Sequence, residues 1–519
     1  MMNDASCSNR ETEAFPGPEL ADTEGFRHFT PWVMATTGGP LKLPLDFHPL
    51  ARTWSTIAHE EARLGIAPGM PVLISRLQID ARINSYLRQA FRRDRRSTAK
   101  TYAVELRTWF TFLQSRGTLW DEARNEDVRS YQVWRVYDSR NPFRVTPATW
   151  NKGWAALKHF YKYSCEAGWI EDTPVRIQDR LDTSSQIGGF REKNARLSRD
   201  RWLTPAEYSM WRDVGLLGYS GQVNGSMSVV ADSPNVNFRG RNSARNAAYT
   251  DYVLSTGLRA AEAGSLLRME LPIGVNHQVP IVTKGRLLRH YVPMHVYGLE
   301  SVQQYVDGER YDNVRRAQEI RRYDGIADPL IIERVLPDGP RGQRLRLENY
   351  GEVDVPMLSH SDRIRLYGRT EHGLEPAALW LGESGMPMQP ASWNAVFAAA
   401  NRRVTAARTA LGVRAPWVRV TPHSLRFTFA LMVLVAGVRA TDREQGLTPS
   451  HPFLEGNYSH VFDEVRDLLG HASVETTKNI YLEPVKRIRR SSLFTGDSIA
   501  EVWSGIRAFS PLVGFRSAD

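Results

Sequence analysis

Apolar positions recur at helical spacing through much of the chain. Tyr102, Leu106, Trp109, Phe110 and Leu113 fall on one face behind Ser97 and Thr98, which predicts a capped helix. A shorter helix is expected around Val128, Tyr131 and Trp134. A third follows Thr146-Pro147, with Trp150, Trp154, Leu157 and Tyr161 along one side. Thr204-Pro205-Ala206-Glu207 has the form of a capping box and opens a further helix. The period then changes. Val279-Pro280-Ile281-Val282, a turn at Lys284-Gly285 and Tyr291-Val292 predict two short strands. Thr421-Pro422 begins an apolar helix through Phe427 to Val435, expected to stop at Gly437. A last helix from Ser473 carries Tyr481 near its end.

The segments between these patterns suggest boundaries. Residues 1–78 form an N-terminal extension, expected to be disordered at its polar, proline-bearing start, with no assignable pattern around Trp32 and Trp54. A helical domain follows over 79–176. The stretch 177–199, with Pro174 just before it and Ser184-Ser185 and Gly188-Gly189 within it, reads as a linker. A larger domain over 200–485 is interrupted near 218–240, 298–375 and 438–462. The tail, 486–519, opens on the basic run Lys486-Arg487-Ile488-Arg489-Arg490. Its Ile499, Val502, Trp503 and Ile506 have the spacing of an amphipathic helix.

Composition narrows the class. The 519 residues are 42% hydrophobic and 24% charged, as in a globular protein with more than one domain. A net charge of +10 favours a polyanionic partner without naming it. Cys7 and Cys165 are the only cysteines, which suits neither a disulfide framework nor a thiolate metal cluster. No apolar run approaches a membrane span and the N-terminus does not read as a signal peptide, so a cytoplasmic location with no membrane partner is expected. Within the helical domain the basic side chains gather: Arg92, Arg93, Arg95 and Arg96 before its first long helix, and Lys152, Lys158 and Lys162 on the third. Each alone is an ordinary solvated residue; together they suit phosphate contacts.

Six further residues stand in suggestive settings: Arg259 after Ser255-Thr256-Gly257-Leu258, Lys284 in its turn, His423 and Arg426 three apart on one helical turn, His471 after Leu469-Gly470, and Tyr481. Taken singly, each has a plain structural reading. Arg259 could pair with Glu262, Lys284 could be a turn lysine, and His471 could favour a helix C-terminus. Tyr481 could be core.

Taken in order, the set resembles the catalytic core of the tyrosine recombinases, the phage-integrase family. The resemblance rests on Arg259 with Glu262, on Lys284 leading to Tyr291-Val292-Pro293, on His423-x-x-Arg426, on Leu469-Gly470-His471 and on Tyr481. Residues 79–176 resemble, more loosely, the family's core-binding domain. Phe427 departs from the pattern, where the family often has histidine, and the stretches from Lys284 to His423 and from Arg426 to His471 are longer than in compact members.

The resemblance implies a mainly α fold with a small antiparallel β-sheet, a helical DNA-clamping domain preceding the catalytic one. It implies a site-specific recombinase or integrase, serving a mobile element, that cuts and rejoins duplex DNA through a 3′-phosphotyrosine. Tyr481 would be the nucleophile, Arg259 and Arg426 would hold the phosphate, and Lys284 would be the general acid. His423 and His471 would assist, and Glu262 would orient the site. Arg286 or Arg289 would be the next acid to consider, and Tyr458 the next nucleophile. No metal or cofactor is expected. The implied partners are recombination sites, a homotetramer on DNA, and an accessory directionality factor or partner recombinases. Residues 486–519 would pass to a neighbouring protomer. Two alternatives share much of this pattern: a type IB topoisomerase, and a degenerate member that only binds DNA.

Overall fold

The computed structural model describes residues 32–37, 59, 63, 69–75, 80–91, 96–175, 202–223, 229–275, 277–282, 288–414, 417–448, 450–471 and 473–489. The chain divides into two compact units, Met1–Leu197 and Ser198–Asp519.

In the first unit, among the described residues, a two-stranded antiparallel sheet, β1 (Val33–Thr36) and β2 (Pro71–Ile74), precedes the α-helices α1 (Ala81–Gln89), α2 (Arg96–Ser115), α3 (Asn125–Gln132) and α4 (Pro147–Glu166). Asp80 caps α1 by accepting from the Arg82 and Ile83 amides, and its second oxygen takes Trp120 Nε1 at 2.8 Å. Thr146 caps α4 with Pro147 at its first position. The expected stripes meet in one core of Leu106, Trp109, Phe110, Trp150, Leu157 and Tyr161. Two of the buried polar groups there are paired in series: Trp109 Nε1 donates to Tyr161 Oη, which donates to the Trp120 carbonyl. The extension is partly structured here, because Trp32 packs on Phe110 with ring centroids 5.3 Å apart. Ser97 lies inside α2 rather than capping it, since the helix begins at Arg96.

The second unit opens with α5 (Pro205–Arg212), held by the predicted Thr204–Glu207 capping box. The interruption near 218–240 carries an antiparallel pair, β3 (Tyr219–Val223) with β4 (Val229–Pro234). Helices α6 (Ser243–Thr256) and α7 (Ala260–Gly264) follow, then the predicted hairpin of β5 (Val279–Val282) and β6 (Leu288–Tyr291). After α8 (Val296–Tyr305) and α9 (Tyr311–Glu319) the segment near 298–375 builds most of a sheet of its own. Strands β7 (Leu330–Gly339), β8 (Gly342–Leu347) and β9 (Gly351–Asp354), the short helix α10 (His360–Arg363), β10 (Leu366–Thr370) and β11 (Gly373–Pro376) compose it. Its order is β11-β10-β7-β8-β9, and β10 lies parallel to β7 while the other pairs are antiparallel. The fold is thus mainly helical with small sheets, one of them mixed rather than antiparallel.

The remaining helices are α11 (Trp393–Ala410), α12 (Pro422–Glu444), α13 (Ser459–Leu469) and α14 (Val474–Arg489). Thr421 caps α12 as expected, but the helix runs through Gly437 to Glu444. Gly437 serves packing instead of termination: a Cβ there would lie 2.5 Å from Val461 Cγ1 on α13. By length and composition α12 could cross a membrane, against the expectation from the sequence. Its most apolar window is 83% buried within the structure, and it forms the centre of the core with Phe429, Leu431, Val433 and Val435.

Candidate active site

The site is assembled around two glycine-terminated helix ends. Gly257 closes α6 with φ +63°, donating its amide to the Val253 carbonyl, and a Cβ there would meet the Phe429 ring at 2.3 Å. Only glycine fits, and the turn it permits delivers Arg259 in extended conformation at the start of α7. Gly470 closes α13 with φ +61° in the same way, and His471 follows it.

The last carbonyls of a helix have no partner within the helix and carry its negative dipole end. In α13 and the glycine after it, three successive carbonyls each accept from a different arginine. Leu468 takes Arg289 at 2.8 Å, Leu469 takes Arg426, and Gly470 takes Arg259 at 3.2 Å. Arg426 also donates to the Gly257 carbonyl, so one buried guanidinium ties both glycine-capped ends together. Glu262 completes the frame. Its Oε1 accepts from Arg259 Nη1 at 2.8 Å, and its Oε2 accepts from the Arg259 amide at 2.9 Å and from Arg289 Nη2 at 2.7 Å.

Three guanidiniums against one carboxylate leave a cationic surplus, and the titrations follow from it. Burial alone would raise the Glu262 carboxyl, but Arg289 and Arg259 more than offset it and hold it below the usual range. Burial, with Arg259 and Arg289 adding to it, pushes Arg426 down to about 9, so it keeps its charge at neutral pH. His471 is pushed down to about 4 by burial and by Arg426, Arg259, Arg289 and His423, and is neutral above that. Its Nδ1 lies 2.9 Å from Thr477 Oγ1, and Thr477 stands on the helix that carries Tyr481.

Tyr481 is buried, with its ring centroid 4.7 Å from that of Phe427. Burial pushes its phenol up to about 12, with Arg426 pulling the other way. Phe427 therefore forms a wall for the tyrosine. The far end of α14 is fixed by Arg489, which grips Asp442 with Nε at 2.7 Å and Nη2 at 3.0 Å. Tyr458 donates to the same carboxylate at 2.6 Å and stacks on Phe453. Within the basic run 486–490 Arg489 is thus a buried anchor, and Tyr458, the reserve nucleophile, has its hydroxyl committed to Asp442.

The structure thus brings Arg259, Glu262, His423, Arg426, His471 and Tyr481 together. Lys284 lies outside the described residues, between β5 and β6 in the chain. Arg289, weighed in the sequence only as a substitute acid, is instead half of a buried ion pair with Glu262. The alternation of β6 held that signal, since Arg289 shares its inward face with Tyr291. Of the basic candidates in the first unit, Lys152, Lys158 and Lys162 are exposed on α4, and Lys162 lies 3.7 Å from Glu166. Arg92, Arg93 and Arg95 fall outside the described residues, and Arg96 opens α2.

Residues 83–168, which run from α1 through α4, match the family model described as phage integrase, N-terminal SAM-like domain. No curated protein matches the chain. Among solved structures, the chain is similar to the XerH site-specific recombinase in a post-cleavage complex with its palindromic difH substrate. The identity is 15%, over 77% of this chain and 81% of that one, with a TM-score of 0.40. It is also similar to the Tn1549 transposon integrase in complex with circular intermediate DNA, at 13% identity over 76% and 98% of the two chains and a TM-score of 0.37. A lambda integrase dimer bound to a core site gives 10%, 77% and 94%, with a TM-score of 0.38. The chemistry of the site rests on its own geometry.

Proposed function

We propose that the protein is a tyrosine-type site-specific DNA recombinase, an integrase serving a mobile element. The observation that carries this reading is the convergence of Arg259, Arg426, His471 and Tyr481 at the C-terminal end of α13. A phosphodiester supplies the anion that such a cationic cluster suits. The two guanidiniums neutralise charge gathering on the non-bridging oxygens in the transition state. Tyr481 Oη attacks phosphorus; the new bond forms to the phenol oxygen while the bond to the 5′ oxygen breaks. A phenol held at about 12 is protonated at neutral pH, so its proton must pass to a base, and His423 is assigned that role. Neutral His471 hydrogen-bonds the phosphate, and Lys284 protonates the departing 5′ oxygen. Glu262 fixes Arg259. Rejoining reverses these steps, and the bond energy is kept in the phosphotyrosine.

The unit built on α1 to α4 would grip duplex DNA through Lys152, Lys158 and Lys162 and through Arg92, Arg93, Arg95 and Arg96. Four copies would act on two sites, with the tail beyond residue 489 reaching a neighbour and accessory factors setting direction. The test uses nicked duplexes taken from DNA flanking the coding sequence, which trap a covalent adduct. The wild-type protein should form the adduct, and Tyr481→Phe should bind equally well and form none. An adduct on Tyr481→Phe would move the nucleophile elsewhere. Relaxation of plasmid lacking such sites would favour the topoisomerase reading.

A further inference from the structure

The segment inserted before α11 touches the frame of the site at two places. Gly342, where β7 turns into β8, lies against strand β5 so closely that a Cβ there would sit 2.4 Å from Pro280 Cγ. Its φ of +101° is one that L side chains rarely adopt, so both backbone and space at this point are reserved for glycine. The second contact comes from α10. Arg363 donates to Glu270 through Nη1 at 2.5 Å and Nη2 at 3.0 Å, and also to the Val355 and Ser265 carbonyls. Arg363 and Glu270 are both buried, and the Glu270 carbonyl accepts from Tyr291 Oη at 3.0 Å. Tyr291 and Arg289 share the inward face of β6, and Arg289 holds Glu262.

A lone two-stranded hairpin is marginal in water and needs a surface behind it to hold a fixed position. The β5–β6 hairpin rests its inward face on the main core through Val279, Ile281 and Tyr291, and meets the inserted sheet on its other face at Pro280. We propose that the insertion is a brace that sets the position of the β5–β6 hairpin and, through Arg289, of the Glu262–Arg259 pair. Gly342, Pro280 and Arg363 are then positioning residues for the reaction. The functional half of this inference rests on the recombinase reading; the mechanical half does not.

Two perturbations reach the brace independently. Gly342→Ala pushes a methyl group into Pro280. Arg363→Met combined with Glu270→Gln removes the cross-link without leaving a buried charge unpaired. Hydrogen exchange of the β6 amides reports the brace directly, and single-turnover adduct formation on the nicked flanking duplexes reports its consequence. Displacements near 1 Å cost about 100-fold in rate, so both variants should lose roughly 10- to 100-fold in adduct formation. DNA affinity should be unchanged, exchange at Leu288–Tyr291 should be faster, and α12 should stay protected. Unchanged β6 exchange in either variant overturns the proposal, as does faster exchange with an unaltered adduct rate. If the wild-type protein forms no adduct, the recombinase reading fails and the exchange measurement alone decides the brace.

Discussion

Replacing Glu262 with glutamine changes the site by one charge and almost no volume, and its cost can be worked from three hydrogen bonds. With the amide oxygen in the place of Oε2, the bonds from the Arg259 amide and Arg289 survive. The amide nitrogen then faces Arg259 Nη1, donor against donor, where a 2.8 Å charged bond stood. A hydrogen bond to a charged group is worth about 1.5–3 kcal/mol. Arg259 is 35% exposed and can be resolvated by water, which favours the low end of that range. Arg289 is only 8% exposed and loses its counter-ion; removing one partner of a buried pair costs about 3–5 kcal/mol, less here because the amide still accepts its bond. Glu262→Gln should therefore destabilise the second unit by about 2–4 kcal/mol at pH 7. Urea unfolding followed through the buried Trp380 and Trp393 measures it.

The pH dependence gives this prediction its sharper edge. The folded-state carboxyl titrates below its unfolded value, so its contribution is fully present above about 4.3 and is lost as pH falls through the folded value. Glutamine has nothing to titrate. The gap between wild type and variant should be widest at neutral pH and close in acid. A variant as stable as wild type at pH 7, or a gap that widens in acid, would refute the role given to Glu262.

Other outcomes follow from the same geometry. Tyr458→Phe should cost about 1.5–3 kcal/mol through the bond lost at Asp442, and should still form the DNA adduct; loss of the adduct in a folded variant would return Tyr458 to the chemistry. Lys284→Ala should slow cleavage about 10²–10⁴-fold on ordinary DNA and be rescued when the bridging 5′ oxygen is sulfur, whereas Arg426→Ala should not be; failure of the rescue would move the acid role away from Lys284. His471, whose folded value of about 4 lies below the unfolded one near 6.5, adds stability that is complete above pH 6.5 and lost toward pH 4. His471→Gln should abolish that slope between pH 4 and 6.5 in thermal unfolding, and an unchanged slope would assign it to another group.

What the sequence made legible was what local chemistry dictates. The Thr146, Thr204 and Thr421 caps and the apolar stripes of α2 and α4 were readable because helix ends and periods are short-range signals. The catalytic candidates were readable only as an ordered set, since a lone arginine or tyrosine has no distinguishing spacing. Long-range facts stayed hidden. Gly437 looked like a helix end because the sequence does not show that Val461 packs over it. Arg489 looked like one of a basic run because its partner, Asp442, is 47 residues away. Arg289 drew attention as a charge on a hairpin, and only the fold reveals the carboxylate behind it. The five-stranded sheet escaped altogether, since β7 alternates weakly and much of it is exposed.

The three carbonyls that end α13 have a consequence for how errors spread through the site. Had each arginine been held by a separate loop, three independent displacements would accumulate, and the phosphate would meet a blurred arrangement. Seated on consecutive residues of one stiff element, the three share a single set of positional errors. A jolt to that helix moves them as a body and preserves their mutual spacing. Substitutions buried under it, at Val461, Phe462 or Val465, should therefore degrade the roles of Arg259, Arg289 and Arg426 in proportion. A screen of such variants should find losses that rise and fall together, with no variant that is poor in one arginine function and intact in the others.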